Sequence, residues 1–341
     1  MPDTTKTSPK RNVTLSDIAT RTGYSLATVS KALNGRADIS NTARHVIEKE
    51  LKSSGYQRRV ASPKKQPDIE VVFEDFETIW ALEVLRGIIA EAKPRGISVT
   101  VTESGDRQHP DATWVENVIL RQPIGVILVF SNLSGREREM LHSFNIPFVV
   151  FDPAGNPAID NLSVQADNWT GGVIATRHLL SLGHRRTGII TGPSDMMCAR
   201  ARFDGYCAAL SERRLDTNPM LVLEGNFDTP SGYQAAMAML ENTETRPTAI
   251  FASSDLQAMG VYEAARQLRI RIPEDLSVIG FDDIQTAAYM GPALTTIRQP
   301  LLDMATTATR MIIDTVEGRT VQKRVILPTT LVTRDSTQRL R

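Results

Sequence analysis

A chain of 341 residues is longer than a single hydrophobic core usually serves, so its length predicts two or three domains. Its 41% of hydrophobic and 23% of charged residues are typical of a globular protein, and the absence of any run of about 18 apolar residues argues against a membrane-spanning helix. The net charge of zero hides an asymmetry, because residues 1–65 hold 13 lysines and arginines against 5 aspartates and glutamates. A basic first fifth on an acidic remainder predicts a nucleic-acid-binding segment carried by another domain.

The N-terminal stretch MPDTTKTSPKRNVT contains no apolar run that could form the core of a signal peptide, and we expect residues 1–11 to be a disordered tail. The two cysteines, Cys198 and Cys207, cannot form a disulfide framework and are expected as reduced thiols. No His or Cys stands at metal-ligand spacing from them. These features predict a cytoplasmic protein that needs no metal or cofactor.

Two short amphipathic segments flank Gly23 in the stretch SDIATRTGYSLATVSKALNG. Thr14 and Asp17 have the spacing of a helix cap with an acid in the first turn, and Ser25 can cap a second helix. A third helix is predicted from about Thr42 to Ser54. Two helices joined by a turn with glycine form the helix-turn-helix layout, in which the second helix enters the major groove of DNA. A merely solvated basic tail would lack this apolar periodicity.

The outward side of the second helix carries side chains suited to DNA. The hydroxyl groups of Ser25, Thr28 and Ser30 can contact phosphates. Lys31 can reach a guanine edge or a phosphate. The outward residues of this helix are expected to be Leu26, Ala27, Thr28, Ser30 and Lys31.

The stretch VTLSDIATRTGYSLATVSKALNG closely resembles the DNA-binding head of the LacI/GalR (lactose-repressor/galactose-repressor) family of bacterial transcription regulators. The resemblance continues to about Thr333 through HLLSLGHRRTGIITGP, PTAIFASSDLQAMGV, IPEDLSVIGFDDI and LTTIRQP, which stand in the order of the family. It implies base contacts by Leu26, Ala27 and Lys31. It implies contacts with the DNA backbone by Thr14, Ser25, Thr28, Ser30 and Asn34.

The resemblance also implies a head at residues 1–57 and a linker or hinge at 58–68. Many members carry a short helix there, with a leucine that wedges into the minor groove. The stretch GYQRRVASPKKQPD has no leucine, and Pro63 would break a helix. We hypothesise that Arg58 and Arg59 contact the minor groove electrostatically, because narrow A·T-rich grooves attract arginine. The alternative is a solvated linker that orders only loosely.

Beyond the linker, short apolar runs alternate with helical patterns. The runs are IEVVFE, ISVTVTE, GVILVF, PFVVFD, TGIITG, MLVLEG, TAIFAS and LSVIGF. Helices are expected at about 79–92, 111–121, 134–144, 169–182, 198–214, 230–241 and 255–268. This alternation predicts an α/β fold with two doubly wound parallel sheets, one in each lobe of a core at residues 69–341. The family architecture, similar to periplasmic sugar-binding proteins, has three crossings between lobes, which implies lobe 1 at about 69–166 plus 298–325 and lobe 2 at about 167–295 plus 326–341.

Acidic side chains follow several predicted strands, where ligands bind in such sheets. Asp152 follows PFVVF, Ser254 and Asp255 follow AIFAS, and Asp282 follows SVIGF. Each could instead cap a helix. We expect these residues to lie near the ligand.

The resemblance places Arg202 where the family contacts sugar hydroxyls, and a guanidinium opposite carboxylates suits vicinal hydroxyls. Trp80 and Phe227 fall where the family lines its pocket, and Gln299 lies in the last crossover. Trp114 and Trp169 are expected in the core. Ser254 replaces the asparagine that is usual in the family, which shortens one hydrogen-bonding side chain.

The sequence therefore predicts a repressor that binds a near-palindromic operator as a dimer and responds to a small ligand, by analogy a mono- or disaccharide that releases it. A purine or another polar ligand is the alternative. The residues after the last strand are too few for a C-terminal heptad segment, so dimers are expected rather than tetramers. A periplasmic sugar receptor would need export, and an enzyme would need a phosphate-cradling loop or a nucleophile elbow, neither of which occurs.

Overall fold

The computed structural model describes residues 13–34, 36, 38–54, 56, 66–74, 76, 78–105, 113–129, 133–153 and 161–340. The chain divides into two compact units between Lys65 and Gln66. Within the described ranges, no helix combines the length and the apolar character needed to span a bilayer.

The first unit consists of three short helices, α1 (Leu15–Thr22), α2 (Leu26–Leu33) and α3 (Asn41–Ser53). Thr14 and Asp17 form a reciprocal capping box at the start of α1, and Gly23 ends that helix with a φ of 72°. The small core between the helices is formed by Ile18, Val29, Ala32 and Ile47. These observations confirm the helix-turn-helix prediction.

The second unit alternates strands and helices. Its elements in chain order are β1 (Asp68–Phe73), α4 (Ile79–Ala92), β2 (Ser98–Glu103), α5 (Trp114–Arg121), β3 (Gly125–Val129), α6 (Gly135–Ser143), β4 (Phe148–Phe151), β5 (Leu162–Ala166), α7 (Asn168–Ser181), β6 (Thr187–Thr191), α8 (Met197–Glu212), β7 (Val222–Glu224), α9 (Thr229–Leu240), β8 (Ala249–Ala252), α10 (Asp255–Gln267), β9 (Ser277–Asp282), β10 (Thr295–Arg298), α11 (Leu301–Val316), β11 (Arg324–Leu327) and β12 (Thr330–Val332). Short 3-10 helices lie at Lys93–Arg95, Pro219–Leu221 and Gln285–Tyr289.

The strands form two sheets of six, with the orders β11-β5-β4-β3-β1-β2 in lobe 1 and β12-β10-β9-β8-β6-β7 in lobe 2. All neighbours pair in parallel except β12, which runs antiparallel to β10. Each sheet is buried on both faces. In β1, for example, Val71 packs into one core of lobe 1 and Val72 into the other. Helices therefore cover both faces of each sheet, and the two-lobed, doubly wound fold is confirmed.

The chain passes between the lobes three times, after β5, after β10 and after β11. Two of these crossings lie slightly later than we expected. Strand β10 keeps residues up to Arg298 in the sheet of lobe 2, and β11 keeps residues up to Leu327 in the sheet of lobe 1. The second and third crossings therefore follow Arg298 and Leu327 rather than residues 295 and 325.

Candidate functional site

The exposed side of α2 carries the residues expected to read bases. The side chain of Leu26 is 52% exposed, and Ala27 and Lys31 are also exposed. Thr28 and Ser30 are half-buried beside them. An exposed leucine near the start of such a helix suits contact with the methyl group of thymine, and a lysine suits guanine.

Several residues expected to contact the DNA backbone also hold the head together. The hydroxyl of Ser25 accepts a hydrogen bond from the N–H of Thr28 at 3.2 Å. The N–H and hydroxyl of Thr14 both donate to Asp17 Oδ2, at 2.8 and 2.7 Å. The side-chain amide of Asn34 donates to a carbonyl of the preceding turn at 2.9 Å. Their contacts with phosphates stay predictions. The minor-groove contacts of Arg58 and Arg59 also stay predictions, because these residues lie with Pro63 outside the described residues.

A cavity of about 170 Å³ opens between the two lobes of the second unit, at the carboxyl ends of the parallel strands. This is where ligands bind in doubly wound sheets. Lobe 1 contributes Thr78 and Trp80, and Gln299 comes from a crossover. Lobe 2 contributes Cys198, Arg202, Asn226, Phe227, Asp228, Ser254, Leu256 and Asp282.

Arg202 projects from α8 and is only 3% exposed. Its Nε donates to Asn168 Oδ1 at 2.8 Å, and its Nη1 donates to the carbonyl of Ser253 at 2.5 Å. The guanidinium carbon lies 3.7 Å from the centroid of the Phe281 ring and 5.3 Å from that of Phe227. Stacking and hydrogen bonds thus fix the orientation of this side chain.

Two buried carboxyl groups lie beside Arg202. Asp282 Oδ1 is 3.8 Å from Arg202 Nη1 and accepts a hydrogen bond from Gln299 Nε2 at 2.6 Å. Asp152 Oδ1 accepts a hydrogen bond from Asn168 Nδ2 at 3.3 Å. Burial raises the pKa of Asp152 to about 6 and that of Asp282 to about 7, although the charge of Arg202 opposes both shifts.

Several buried polar atoms have no hydrogen-bond partner among the described residues, and two of them belong to residues expected at the ligand site. These two are Asp152 Oδ2 and Gln299 Oε1. A buried acceptor without a donor is costly. Hydroxyl or amide groups of a ligand can supply donors to both oxygens.

Backbone strain is concentrated at the same place. Asp152, Phe227 and Asp282 have φ values of 48°, 58° and 116°. Such values are unfavourable for residues other than glycine and persist where the surrounding structure holds them. Three of the expected ligand-site residues therefore have conformations that the fold imposes on them.

Asp152 does not line the cavity, and neither does Asp255, contrary to our expectation. Asp255 Oδ1 accepts from the hydroxyl of Thr296 at 2.6 Å and its Oδ2 from the N–H of Ile284 at 2.9 Å. The buried carboxyl of Asp255 thus links β10 to the segment after β9, and burial raises its pKa. Ser254 does line the cavity, but its hydroxyl caps α10 and donates to the carbonyl of Phe227 at 3.0 Å.

The tryptophans divide between core, cavity and surface. Trp80 lines the cavity and packs edge-on against Phe151, with ring centroids 6.0 Å apart. Trp114 is buried, as expected. Trp169 is 49% exposed, so the prediction of a core position was wrong. It lies at the start of α7, where the helix leaves the crossover.

Sequence reasoning missed several residues of this site. Asn168 links Asp152 to Arg202, and Phe281 lies under the guanidinium. Asn168 is the second residue after β5, so a search of the residues that follow strand ends would have found it if that strand had been predicted. Further lining residues that were not expected are Thr78, Cys198, Asn226, Asp228 and Leu256. Within the described part of the chain, no three His, Cys, Asp or Glu side chains gather as metal ligands would.

Comparisons with known proteins agree with the division into a head and a core. Residues 14–59 match the model of bacterial regulatory proteins of the lacI family, and residues 176–337 match the periplasmic binding protein-like domain. The HTH-type transcriptional repressor CytR of Escherichia coli strain K12 is 30% identical over 312 residues, which cover 90% of this chain and 91% of that protein.

Solved structures show the same likeness. The transcriptional regulator CelR in complex with cellobiose has a TM-score of 0.73 and 28% identity, over 95% of this chain and all of that one. The lac repressor dimer bound to operator and the anti-inducer ONPF has a TM-score of 0.72 and 26% identity, over 96% of this chain and all of that one. By its head, its core and its relatives, the chain belongs to the lacI family of bacterial regulatory proteins and is a DNA-binding transcription repressor.

Proposed function

We propose that this repressor binds a near-palindromic operator as a dimer, and that an uncharged polyhydroxyl ligand in the cavity between the lobes releases it from DNA. One recognition helix reads one half-site, so two heads related by a twofold axis read a palindrome. Two similar structures support the proposal, because one is a repressor dimer on its operator and the other holds cellobiose. Because bacterial DNA lies in the cytoplasm, the protein would act there.

The observation that carries the ligand assignment is the pair of buried acceptors, Asp152 Oδ2 and Gln299 Oε1, beside the donors of Arg202. A hydroxyl group both donates and accepts, so neighbouring hydroxyls can satisfy a carboxylate and a guanidinium together. Trp80 and Phe227 add aromatic surface to the same cavity. Apolar C–H faces of a sugar ring suit such surface.

The charge of the cavity favours an uncharged ligand. Arg202 is the one cationic side chain among the described residues of the lining, whereas Asp228 and Asp282 line it and Asp152 is joined to Arg202 through Asn168. A phosphate or carboxylate would meet this excess of acids in a poorly solvated place. The volume of about 170 Å³ is also below the roughly 300–1,000 Å³ of sites for drug-sized ligands, which favours a compact molecule such as a monosaccharide.

The side chains that could act as nucleophiles support binding rather than catalysis. Burial raises the pKa of the Cys198 thiol to about 12, which keeps it neutral and unreactive. The hydroxyl of Ser254 is committed to the cap of α10 and to the carbonyl of Phe227. We therefore propose that the ligand leaves the cavity chemically unchanged.

Control of DNA binding requires that the ligand prefer one arrangement of the lobes over another, since equal affinity for both would shift nothing. Residues from both lobes and from a crossover line the cavity, so a ligand that contacts all three favours one arrangement. In a dimer, a change in lobe arrangement alters the spacing of the two heads.

The proposal is tested by thermal unfolding of the full chain against matched pairs of compounds. Monosaccharides and disaccharides are compared with their phosphates, and nucleosides with their nucleotides. A ligand at about 100 times its dissociation constant stabilises the domain that binds it by about 2.7 kcal/mol. We expect an upward shift with one uncharged sugar and none with its phosphate.

The protein is next used to select a duplex that it binds from randomised DNA. A sugar that stabilises the protein is then added to the complex of the protein with this duplex. Loss of binding supports release, whereas tighter binding would overturn it and indicate recruitment. A shift with a phosphorylated compound alone would contradict the uncharged-ligand proposal. A shift with a nucleoside alone would support a purine-type or pyrimidine-type effector instead of a sugar.

A further inference from the structure

An ion pair joins the recognition helix to the loop that follows it. Lys31 Nζ lies 2.7 Å from Asp38 Oδ2, and the two side chains are 47% and 57% exposed. Lys31 is one of the residues expected to read bases, whereas nothing in the sequence marked Asp38. An acid that binds the base-reading cation within the DNA-binding head needs an explanation.

The loop that carries Asp38 is anchored on both sides. The N–H of Arg36 donates to the carbonyl of Lys31 at 3.1 Å, and Arg44 Nη2 donates to the carbonyl of Arg36 at 2.6 Å. Ser40 caps α3, with its hydroxyl accepting from the N–H of Ala43 at 3.3 Å. Asp38 lies between these anchors, so its carboxylate has a defined place beside α2.

The carboxylate is unfavourable for general attraction to DNA. Residues 1–65 hold only 5 acidic side chains against 13 lysines and arginines, and a carboxylate near phosphates is repelled by them. The hydrogen bond from Lys31 lowers the pKa of Asp38, so the group is ionised at neutral pH. Its presence must therefore serve something other than affinity for the phosphate backbone.

We propose that Asp38 is a positioning residue that directs the ammonium group of Lys31 toward a base edge and away from phosphates, and thereby raises the preference of the head for its operator over other DNA. An ammonium group has three donors on a flexible stem and by itself pairs with any nearby phosphate. With one donor held by Asp38, two remain for the O6 and N7 acceptors of guanine. A phosphate that approached Lys31 would also approach the carboxylate of Asp38, and the two negative groups repel each other.

The test compares Asp38→Asn with Glu48→Gln in the full chain. Both changes remove one negative charge, and Glu48 is an exposed residue of α3. Affinity is measured for a duplex selected by the wild-type protein and for a random duplex, over a range of salt concentrations. Because the pair is exposed, we expect the thermal stability of the variant to stay close to that of the wild type.

We expect Asp38→Asn to strengthen binding to the random duplex and to lower the ratio of operator affinity to random affinity by about three- to tenfold. The salt dependence on the random duplex should steepen by about 0.9 in slope, as one more phosphate contact forms. Glu48→Gln should raise the affinities for the operator and for the random duplex alike, so the ratio between them should not change. Asp38→Glu keeps the carboxylate and should restore much of the wild-type ratio. In a Lys31→Ala background, Asp38→Asn should no longer lower the ratio more than Glu48→Gln does.

Equal effects of Asp38→Asn and Glu48→Gln on the ratio would overturn the proposal, because charge alone would then explain them. A fall in operator affinity that persists in the Lys31→Ala background would also overturn it. That result would mean that Asp38 contacts a base itself, for example the amino group of cytosine.

Discussion

The guanidinium carbon of Arg202 lies 3.7 Å above the ring of Phe281, the residue that precedes Asp282 in β9. The stack holds the guanidinium plane while Asn168 and the carbonyl of Ser253 accept two of its hydrogen bonds. One strand therefore supplies both the surface on which the cation rests and the carboxylate that faces it. Nη1 of Arg202 lies 3.8 Å from Asp282 Oδ1, so a ligand hydroxyl placed beside both groups can contact each of them.

The planar guanidinium group of Arg202, with its paired donors, should determine the affinity for the effector. Arg202→Lys keeps the charge but loses the planar stack and the paired donors, so it should lower affinity for the effector at least about tenfold. Arg202→Ala should abolish the response altogether. Operator binding without effector should remain for both variants, because the head forms a separate compact unit. Titration calorimetry measures the first effect and gel mobility on operator DNA the second.

The matched control is Arg200→Lys, two residues earlier on the same helix, where the side chain is exposed. It should leave effector affinity unchanged. If Arg200→Lys lowered effector affinity and Arg202→Lys did not, then Arg202 would be wrongly assigned as the arginine of the site.

The second prediction concerns pH and Asp152. The pKa of Asp152 is about 6 in the folded protein against an ordinary 3.8, so the folded state holds the proton more tightly. Its contribution to the free energy of unfolding is fully present below pH 3.8 and is lost as pH rises through 6. Asp152→Asn removes this loss. The free energy of unfolding of the variant should exceed that of the wild type by on the order of 1–3 kcal/mol at pH 7.5 and equal it near pH 4. Urea unfolding at several pH values checks this.

Asp275→Asn provides a contrast of opposite sign. Hydrogen bonds from Arg271 hold the pKa of Asp275 well below its usual value, so this group stabilises the fold at neutral pH and less in acid. The variant should be less stable than the wild type at pH 7.5. If the free energies of unfolding of Asp152→Asn and the wild type changed in parallel from pH 4 to 7.5, the raised pKa of Asp152 would be wrong.

The third prediction concerns the close crossing of α7 and α8. A Cβ atom added at Gly172 would lie 2.2 Å from the carbonyl oxygen of Arg202, a distance that no packed structure tolerates. Gly172→Ala must push α8 outward together with Arg202, at a cost of about 1–3 kcal/mol in stability. We expect lower effector affinity as well, because the guanidinium moves relative to Phe281 and Asp282.

Gly135→Ala is the matched control, since no atom lies within 4 Å of the added Cβ in α6. It should be neutral or slightly stabilising, because alanine favours helix more than glycine does. Equal melting temperatures for the wild type and both variants would show that α7 and α8 do not pack as closely as described.

Much of this architecture could be predicted because its signals are local. Gly23 ends a helix in the left-handed conformation, Ser25 caps the next, and strands such as β3 are short apolar runs between helical patterns. The strand-end rule then led to Asp152 and Asp282. It failed where a strand was not predicted: in β5, Ser163 and Gln165 interrupt the apolar run, so Asn168 was missed.

Other features depend on three-dimensional contacts that no local pattern encodes. Asp255 follows a strand just as Asp152 does, but its two oxygens are taken by Thr296 and Ile284, which are distant in sequence. Phe281 has the pattern of an ordinary core residue, and only the fold brings Arg202 over its ring. Strands β10 to β12 have three or four residues each, too few for a period of two to show. Helix α11, by contrast, has clear apolar spacing and was overlooked.

The last prediction links effector binding to protons. With pKa values of about 6 for Asp152 and about 7 for Asp282, both carboxyl groups are partly protonated near pH 6.5. Hydroxyl groups that donate to them favour the ionised form, so binding should release protons and affinity should rise between about pH 5.5 and 7.5. Calorimetry in phosphate and in imidazole at pH 6.5 gives the number released from the difference in apparent enthalpy. Asp152→Asn should release fewer protons than wild type, and a wild-type protein that released none would show that the effector does not donate hydrogen bonds to these carboxylates.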